Sequence, residues 1–356
     1  DGTARCWGDN HHGQLGDGTS ASSDVPVRVE GLTSAVSLSA GAGFTCAAGA
    51  DGTAWCWGDN RRGQLGDGTN ESSLVPVTVA GLDSAVAVSA ADEFACAVLH
   101  DGTARCWGNN GQGRLGNGTT DSSNVPVVVS GVANVVGISN AGSCVPASDF
   151  CGHLGHACAV LSDGTVRCWG SSHWGQLGDG TRADSSVPAP VTGIDDAVAV
   201  STGPMHTCAV LISGTVRCWG GNASGQLGDG TTTDSPAPVG VTGLTGAVLV
   251  SARSGQVGRW WGSTGDGAHV CAVIDGGRGV CWGNNGAGQL GDGTTEDRMA
   301  PVEVGGLAGI VAVEVTAHRS CAVLSDGTVW CWGYNGAGLG IGATESTPVP
   351  LPVVPW

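Results

Sequence analysis

Lysine is absent from this chain of 356 residues, so all 14 basic residues are arginine, set against 31 acidic ones for a net charge of −17. Binding to a phosphate backbone needs a clustered positive surface, and dispersed arginines do not make one. Nucleic acid is therefore not an expected partner, and the acidic balance reads as a solubility device. Phenylalanine and tyrosine are nearly missing, at 3 and 1 residues, so the core must be built from Val, Ala, Leu, Cys and Trp. No apolar run approaches the roughly 18 residues that a membrane span requires, so membrane insertion is not expected. The numbering shows no signal peptide. No stretch keeps a helical period. The 64 glycines and the small apolar residues suit short strands joined by turns.

What is present is a repeat. A Trp-Gly pair recurs at Trp7, Trp57, Trp107, Trp169, Trp219, Trp282 and Trp332, at steps of 50, 50, 62, 50, 63 and 50 residues. A period of this length marks a repeat array. The spacing predicts an all-β fold, a seven-bladed β-propeller of four-stranded antiparallel blades spanning residues 1–356 as one domain. Two longer steps place insertions at about 143–155 and 253–268. In one unit the strands read Val187–Val191, Ala197–Ser201, Cys208–Leu211 and Thr215–Trp219, separated by turn residues. Radial repetition of such meanders disposes of sheet edges.

The hairpin between the third and fourth strands of a unit can be read in register. A three-residue loop, Ser162-Asp163-Gly164, sets Leu161 opposite Thr165, with Gly164 free to take the left-handed conformation. Val160 then faces Val166, Ala159 faces Arg167, and Cys158 faces Cys168. The same spacing of ten recurs at Cys46 and Cys56, Cys96 and Cys106, Cys208 and Cys218, Cys271 and Cys281, and Cys321 and Cys331. Directly opposed strand residues come close enough for disulfides, although buried free thiols would also suit a core. Six such bonds imply an oxidising compartment, so the protein is expected outside the cell or at its surface.

Three cysteines remain. Cys144 and Cys151 lie in one insertion and are expected to bond to each other. A zinc site with His153 and His156 is the alternative. Cys6 is left without a partner. Its partner would lie ahead of Asp1, and the end of the chain lacks the second and third strands of a last blade. The reading is thus that the last blade is incomplete here and that about 20–25 residues from outside this numbering complete it.

The string Trp57-Gly-Asp-Asn-Arg-Arg-Gly-Gln-Leu-Gly66 resembles the signature of the regulator of chromosome condensation repeat, and Ser201–Val210 resembles its second signature, with His206 ahead of an apolar strand. The resemblance spans all seven units and implies a seven-bladed propeller. The family's eukaryotic founder is a nucleotide-exchange factor for the GTPase Ran that binds chromatin, a role that fits poorly with the acidic charge and the cysteine pairs. Secreted bacterial relatives include a propeller-type inhibitor of β-lactamases. The cysteine pairs are not part of the family signature and suggest an extracellular branch. The last unit departs from the signature, reading Gly338-Leu-Gly-Ile-Gly342.

Alternate loops of a meander share a face, so both insertions and the long loops after Trp-Gly are expected on one side. There the residues after Trp-Gly-x-Asn vary while their surroundings stay constant, as in His11-His12, Arg61-Arg62 and His173-Trp174. Constant scaffold with variable tips is the pattern of a binding surface, and Trp and Arg are the residues enriched at interface hot spots. The candidate contacts are His11, His12, Arg61, Arg62, His173, Trp174, Trp260 and Trp261. Phe44, Phe94, His156, His206, His269 and Arg319 share another repeat position that reads as structural. One carboxylate per Gly-Asp-Gly-Thr turn is too few for calcium. The sequons at Asn70, Asn117 and Asn222 are a weak signal. No nucleophile with a base and no cofactor motif is present. The expected function is a non-enzymatic propeller that binds a protein, as an inhibitor or adhesive module. A glycan-binding propeller is the first alternative, and a metal-dependent enzyme with its site in the insertions is the second.

Overall fold

Strands dominate a computed structural model that describes residues 2–143, 154–252, 268–316, 318–336, 338–342 and 345–354. The first sheet has two strands, β1 (Arg5–Gly8) and β2 (Ser23–Arg28). Six sheets of four antiparallel strands follow. The first two hold β3 (Ala35–Ala40), β4 (Phe44–Gly49), β5 (Ala54–Gly58) and β6 (Ser73–Thr78), then β7 (Ala85–Ala90), β8 (Phe94–Leu99), β9 (Ala104–Gly108) and β10 (Ser123–Val128). The next two hold β11 (Val135–Ser143), β12 (Leu154–Leu161), β13 (Val166–Gly170) and β14 (Ser185–Pro190), then β15 (Ala197–Thr202), β16 (His206–Leu211), β17 (Val216–Gly220) and β18 (Ser235–Gly240). The last two hold β19 (Ala247–Ser251), β20 (His269–Ile274), β21 (Arg278–Gly283) and β22 (Arg298–Glu303), then β23 (Ile310–Thr316), β24 (Arg319–Leu324), β25 (Val329–Gly333) and β26 (Thr347–Pro352). Among the described residues the only helical element is one short turn at Gly111–Gly113, and no helix is long and apolar enough to cross a membrane.

Strand order within each sheet follows the chain, and first strands touch their neighbours from β3 through β7, β11, β15 and β19 to β23. First strands therefore ring the centre and fourth strands form the rim. Composition explains the assignment. Every fourth strand, and β2, carries proline, for example Pro76, Pro188 and Pro350. Proline lacks the donor that a central ladder needs, so it belongs on an edge.

This corrects the phase of the repeat read from sequence. Val187–Val191 was expected to open the unit running to Trp219, yet most of that segment lies in β14, the last strand of the preceding sheet, where Ala189 faces Cys168. Pro188 and Pro190 leave it donors enough for one neighbour only. The corrected phase moves the short sheet from the end of the chain to its start. The last sheet, β23–β26, is complete with four strands, and β1–β2 is the incomplete one.

The hairpin register holds as read. Cys158 faces Cys168, Ala159 faces Arg167, and Val160 faces Val166. All six cysteine pairs at a spacing of ten are disulfides, with Cα atoms 4.0–4.1 Å apart. Each closes a short loop and contributes on the order of 2–3 kcal/mol in the chain-entropy view. Cys6 is a free thiol. The pair Cys144 and Cys151, with His153, lies outside the described residues.

Neighbouring sheets are joined by their tryptophans. The indole of Trp107 is fully buried and donates to the carbonyl of Gln64 in the preceding sheet at 2.9 Å. Trp57, Trp219, Trp282 and Trp332 do the same to Gln14, Gln176, Gln226 and Gln289, at 2.8–3.0 Å. Gly66 lies flat on the Trp107 ring with φ at +68°, and a Cβ there would come within 2.7 Å of the indole. The seam therefore needs glycine for both space and backbone conformation. Gly340 of the last sheet lies against Trp7 of the first in the same way, so the chain's two ends meet.

A candidate binding surface on the loop face

The long loop between third and fourth strands is built around one buried asparagine. Asn60 Nδ2 donates to Asp67 Oδ1, Thr69 O and Glu71 O at 3.0–3.2 Å, and its Oδ1 accepts from the Leu65 amide at 2.9 Å. Asn10, Asn110, Asn222 and Asn285 occupy the same place with the same kinds of partners. Buried polar groups of this kind must be bonded, and three backbone groups of the loop depend on one side chain. Asn222 is fully buried in this role, which rules out its sequon as an acceptor in the folded chain. The asparagine was legible as part of the Trp-Gly-x-Asn string, but its function as the organising centre was not.

The tip follows directly. Gln64 Oε1 accepts from the Arg62 amide at 2.8 Å, and the same bond holds His12 to Gln14 and Trp174 to Gln176, each at 2.9 Å. The glutamine grips the tip through a backbone amide, so the tip side chains are free to differ. That is why a constant scaffold carries variable tips.

Those side chains meet the loop between first and second strands of the next sheet. Arg62 pairs with Glu93 at 3.7 Å, and Glu93 also accepts from Asn109. Arg61 grips Asp59 through two bonds of 2.9 and 3.0 Å. Burial alone would raise the Asp59 carboxyl, but these bonds outweigh it and hold the group below its usual range. His12 lies over Gly43 beside Asp59. His11 is exposed. Farther round the ring, Trp174 and Met205 both cover Gly221, and His173 stands edge-on to Trp174 at 4.8 Å. One part of the face is thus charged and another is aromatic and thioether. Trp260 and Trp261 lie outside the described residues. Sequence reasoning missed Asp59, Glu93, Asn109 and Met205, which hold the tips but belong to positions of no fixed identity.

One loop lacks its asparagine. Between β13 and β14, Ser172 takes that position. Its amide donates to Asp184 at 2.7 Å, but its buried hydroxyl and the Gln176 side-chain nitrogen find no partner among the described residues. The Asp179–Thr181 turn keeps its usual bond of 2.8 Å, so the acceptors stay in place without their donor. Beneath this loop runs a polar chain. Thr207 donates its hydroxyl to the Gln176 carbonyl at 3.0 Å, so its oxygen accepts from His156 Nε2 at 2.7 Å. That fixes the tautomer with the proton on Nε2. His269, Ser320 and Gln289 repeat the chain at 2.7 and 2.8 Å. His206 has Val270 where the hydroxyl would be, and neither ring nitrogen is bonded among the described residues. Burial pushes His156 down to about 3, with His206 nearby adding to it, and pushes His206 down to about 4. Both are neutral core residues.

The third full loop varies the scaffold itself. Arg114 replaces the glutamine yet still presents its carbonyl to Trp169 at 3.0 Å. Its buried guanidinium lies 5.6 Å from the centre of the Phe94 ring. Burial lowers it to about 10, against the pull of Glu93 and Asp92.

Comparison with known proteins agrees with this architecture. The family profile described as the Regulator of chromosome condensation (RCC1) repeat matches residues 1–48, 51–98, 101–145, 163–210 and 213–257. A second profile for the same repeat matches 35–64, 85–114, 197–226 and 310–338. Comparison with curated proteins finds no match. Among solved structures, yeast RCC1 (Prp20) bound to Kap60 is similar over 99% of this chain and 83% of that one, at 20% identity and a TM-score of 0.81. Human WBSCR16 is similar over 99% and 94%, at 21% identity and 0.82. Prp20p from Saccharomyces cerevisiae, described with its binding properties to Gsp1p and histones, is similar over 99% and 85%, at 20% identity and 0.82. At such identities the likeness speaks for the fold.

Proposed function

This chain belongs to the regulator of chromosome condensation repeat family, and from that premise we propose that it is a non-enzymatic propeller that binds another protein through its loop face. The observation that carries the reading is the division of labour inside each loop. Asparagine, glutamine and tryptophan hold the backbone, and the tip side chains, exposed at Arg61, Arg62 and His173 and half-buried at Trp174, take no part in that work. Residues with no structural duty on a rigid frame are the ones available to a partner. A yeast neighbour of the same fold is solved with a protein bound, which is in keeping with this use of the surface. The strongly shifted groups are the sealed His156 and His206, the buried Arg114 and the Cys6 thiol, each moved chiefly by burial, which suits a core better than catalysis.

The six disulfides further support a working place outside the reducing cytoplasm, at the cell surface or beyond it. The test replaces Arg61, Arg62 and Trp174 together by alanine. The native chain should capture a protein from the medium or surface extract of its own source, and the triple variant should not, with melting temperatures equal to within a few degrees. Equal capture by both would overturn the reading. Binding on a glycan array that disappears with Trp174 alone would replace the protein partner by a carbohydrate.

A further inference from the structure

The two-stranded sheet has an open inner edge. Among the described residues nothing pairs with β1 on the side away from β2, whereas β5, β9, β13, β17, β21 and β25 all have a second strand there. A cavity of about 330 Å³ lies against that edge, bounded by Cys6, Trp7, Gln14, Ala40, Thr45 and Arg319, where a second strand stands in the other sheets. A second, about 450 Å³, lies at the centre of the ring, lined by Leu38–Ala42, Ala90–Asp92, Asn140–Gly142 and Glu314–Thr316.

The residues around the opening carry the marks of a missing neighbour. Cys6 faces Val27 as Cys56 faces Val77 and Cys106 faces Val127, so its sulfur holds the position that is a disulfide six times elsewhere. Gly2 accepts from the Ala35 amide at 3.0 Å, as Gly52 accepts from Ala85 at 2.8 Å, so the turn leading into β1 already has its standard shape. Arg319 stands where His156 and His269 stand. Those histidines donate to a hydroxyl on the second strand of the following sheet, and Arg319 has no such strand to reach. Its Nη1 donates to Gly338 O at 3.3 Å and its side chain borders the smaller cavity. Glu314 occupies the position of Ser39, Ser89, Ser139, Ser201 and Ser251, whose hydroxyls accept an amide from the next first strand at 2.7–3.1 Å. Its carboxylate accepts from Ser251 at 3.4 Å and borders the larger cavity.

We propose that this edge is a docking site for a two-stranded β-hairpin whose second strand carries a hydrogen-bond acceptor opposite Trp7 and a cysteine opposite Cys6. Its first strand enters between β23 and β3, its second pairs with β1, and the sheet becomes a four-stranded blade. Main-chain bonds along an open edge supply the attachment and the cysteine supplies the register. Closure is oxidative. With a small disulfide such as oxidised glutathione as oxidant, the two thiols lose two electrons and two protons and one protein disulfide forms. The glutathione disulfide is reduced to two thiols.

The chain itself contains a probe of the right pattern, the peptide of residues 35–50, which spans β3 and β4 and places Thr45 ahead of Cys46. Added to residues 1–356 in a glutathione redox buffer, it should give a one-to-one adduct bonded at Cys6. A Cys46→Ser peptide should bind without bonding and should slow maleimide labelling of Cys6 by about tenfold, as burial behind a paired strand requires. A Cys6→Ser chain should bind the native peptide and form no adduct. Unchanged labelling at saturating peptide would overturn the proposal. So would a Cys6–Cys6 dimer that excludes the peptide, because the edge would then serve a second copy of the chain.

Discussion

Two loops on the same face solve one problem differently. In the loop between β5 and β6, Asn60 gathers three backbone groups, and the tip residues Arg61 and Arg62 are tied to acidic neighbours. In the loop between β13 and β14, Ser172 gathers none of them, and the tip is aromatic. The second loop is held from below instead, by the chain from His156 through Thr207 to the Gln176 carbonyl, where the first has only Phe44 and Ala95 at the matching positions. The lower chain is not reserved for that loop, since Gln289 has both Asn285 and the His269–Ser320 pair, but between β13 and β14 it is the anchor that remains where the asparagine is lost. It makes that loop dependent on a buried histidine.

That dependence gives the largest expected effect. Burial holds His156 at about 3 and His206 at about 4 in the folded chain, below the ordinary 6.5. Their contribution is therefore complete above about pH 6.5 and is lost as pH falls from there toward the folded values. At pH 4 the loss is on the order of 3 kcal/mol for each histidine. Urea melts at pH 7 and pH 4 should show it, and replacing both histidines by phenylalanine, as at Phe44 and Phe94, should flatten the dependence. An equally steep slope in that variant would remove the histidines from the account.

Exchanging the organising residues comes next. Asn60→Ser strands the Leu65 amide and two carbonyls and should lose about 3 kcal/mol, whereas Ser172→Asn should gain about 1–2 kcal/mol. If both substitutions destabilised equally, the two loops would not be alternatives at all. A smaller effect tests the chain beneath. Thr207→Val leaves the His156 proton without an acceptor and should lose about 1–2 kcal/mol, and Val270→Thr should return up to about 1 kcal/mol by giving His206 the same partner. Denaturant midpoints would resolve both. The smallest effect belongs to the tips, where Arg61→Ala with Arg62→Ala should change stability by less than about 1 kcal/mol, since exposed ion pairs add little. A larger loss would mean that the arginines serve the scaffold rather than a partner.

Much of this was readable in the chain because a repeat states the same sentence several times. The period of Trp57 and Trp107, the hairpin register at Cys158 and Cys168, and the disulfides followed from spacing and turn chemistry alone. The phase of the repeat did not, because strand pattern is blind to which neighbour a strand joins. Pro188 and Pro190 hold that information, since a strand short of donors belongs on an edge. The organising role of Asn60 and the chain under Gln176 were hidden for another reason. They join residues many positions apart in sequence, and only folding sets Thr207 beside His156. Met205 and Glu93 carry no repeat signal, so nothing short of the assembled seam could single them out.

Every disulfide described joins the second and third strands of one sheet, and none crosses a seam. Pulled from its ends, such a molecule would yield sheet by sheet, because the seams are held by non-covalent contacts alone, the indole and hydroxyl hydrogen bonds among them. Each repeat of about 50 residues keeps its ten-residue loop cross-linked, so a released sheet lengthens the chain by on the order of 130 Å rather than its full contour. Reduction would lengthen each step without changing the order in which they come. Under load the chain would therefore lengthen in nearly equal steps, whose size depends on the redox state of its surroundings.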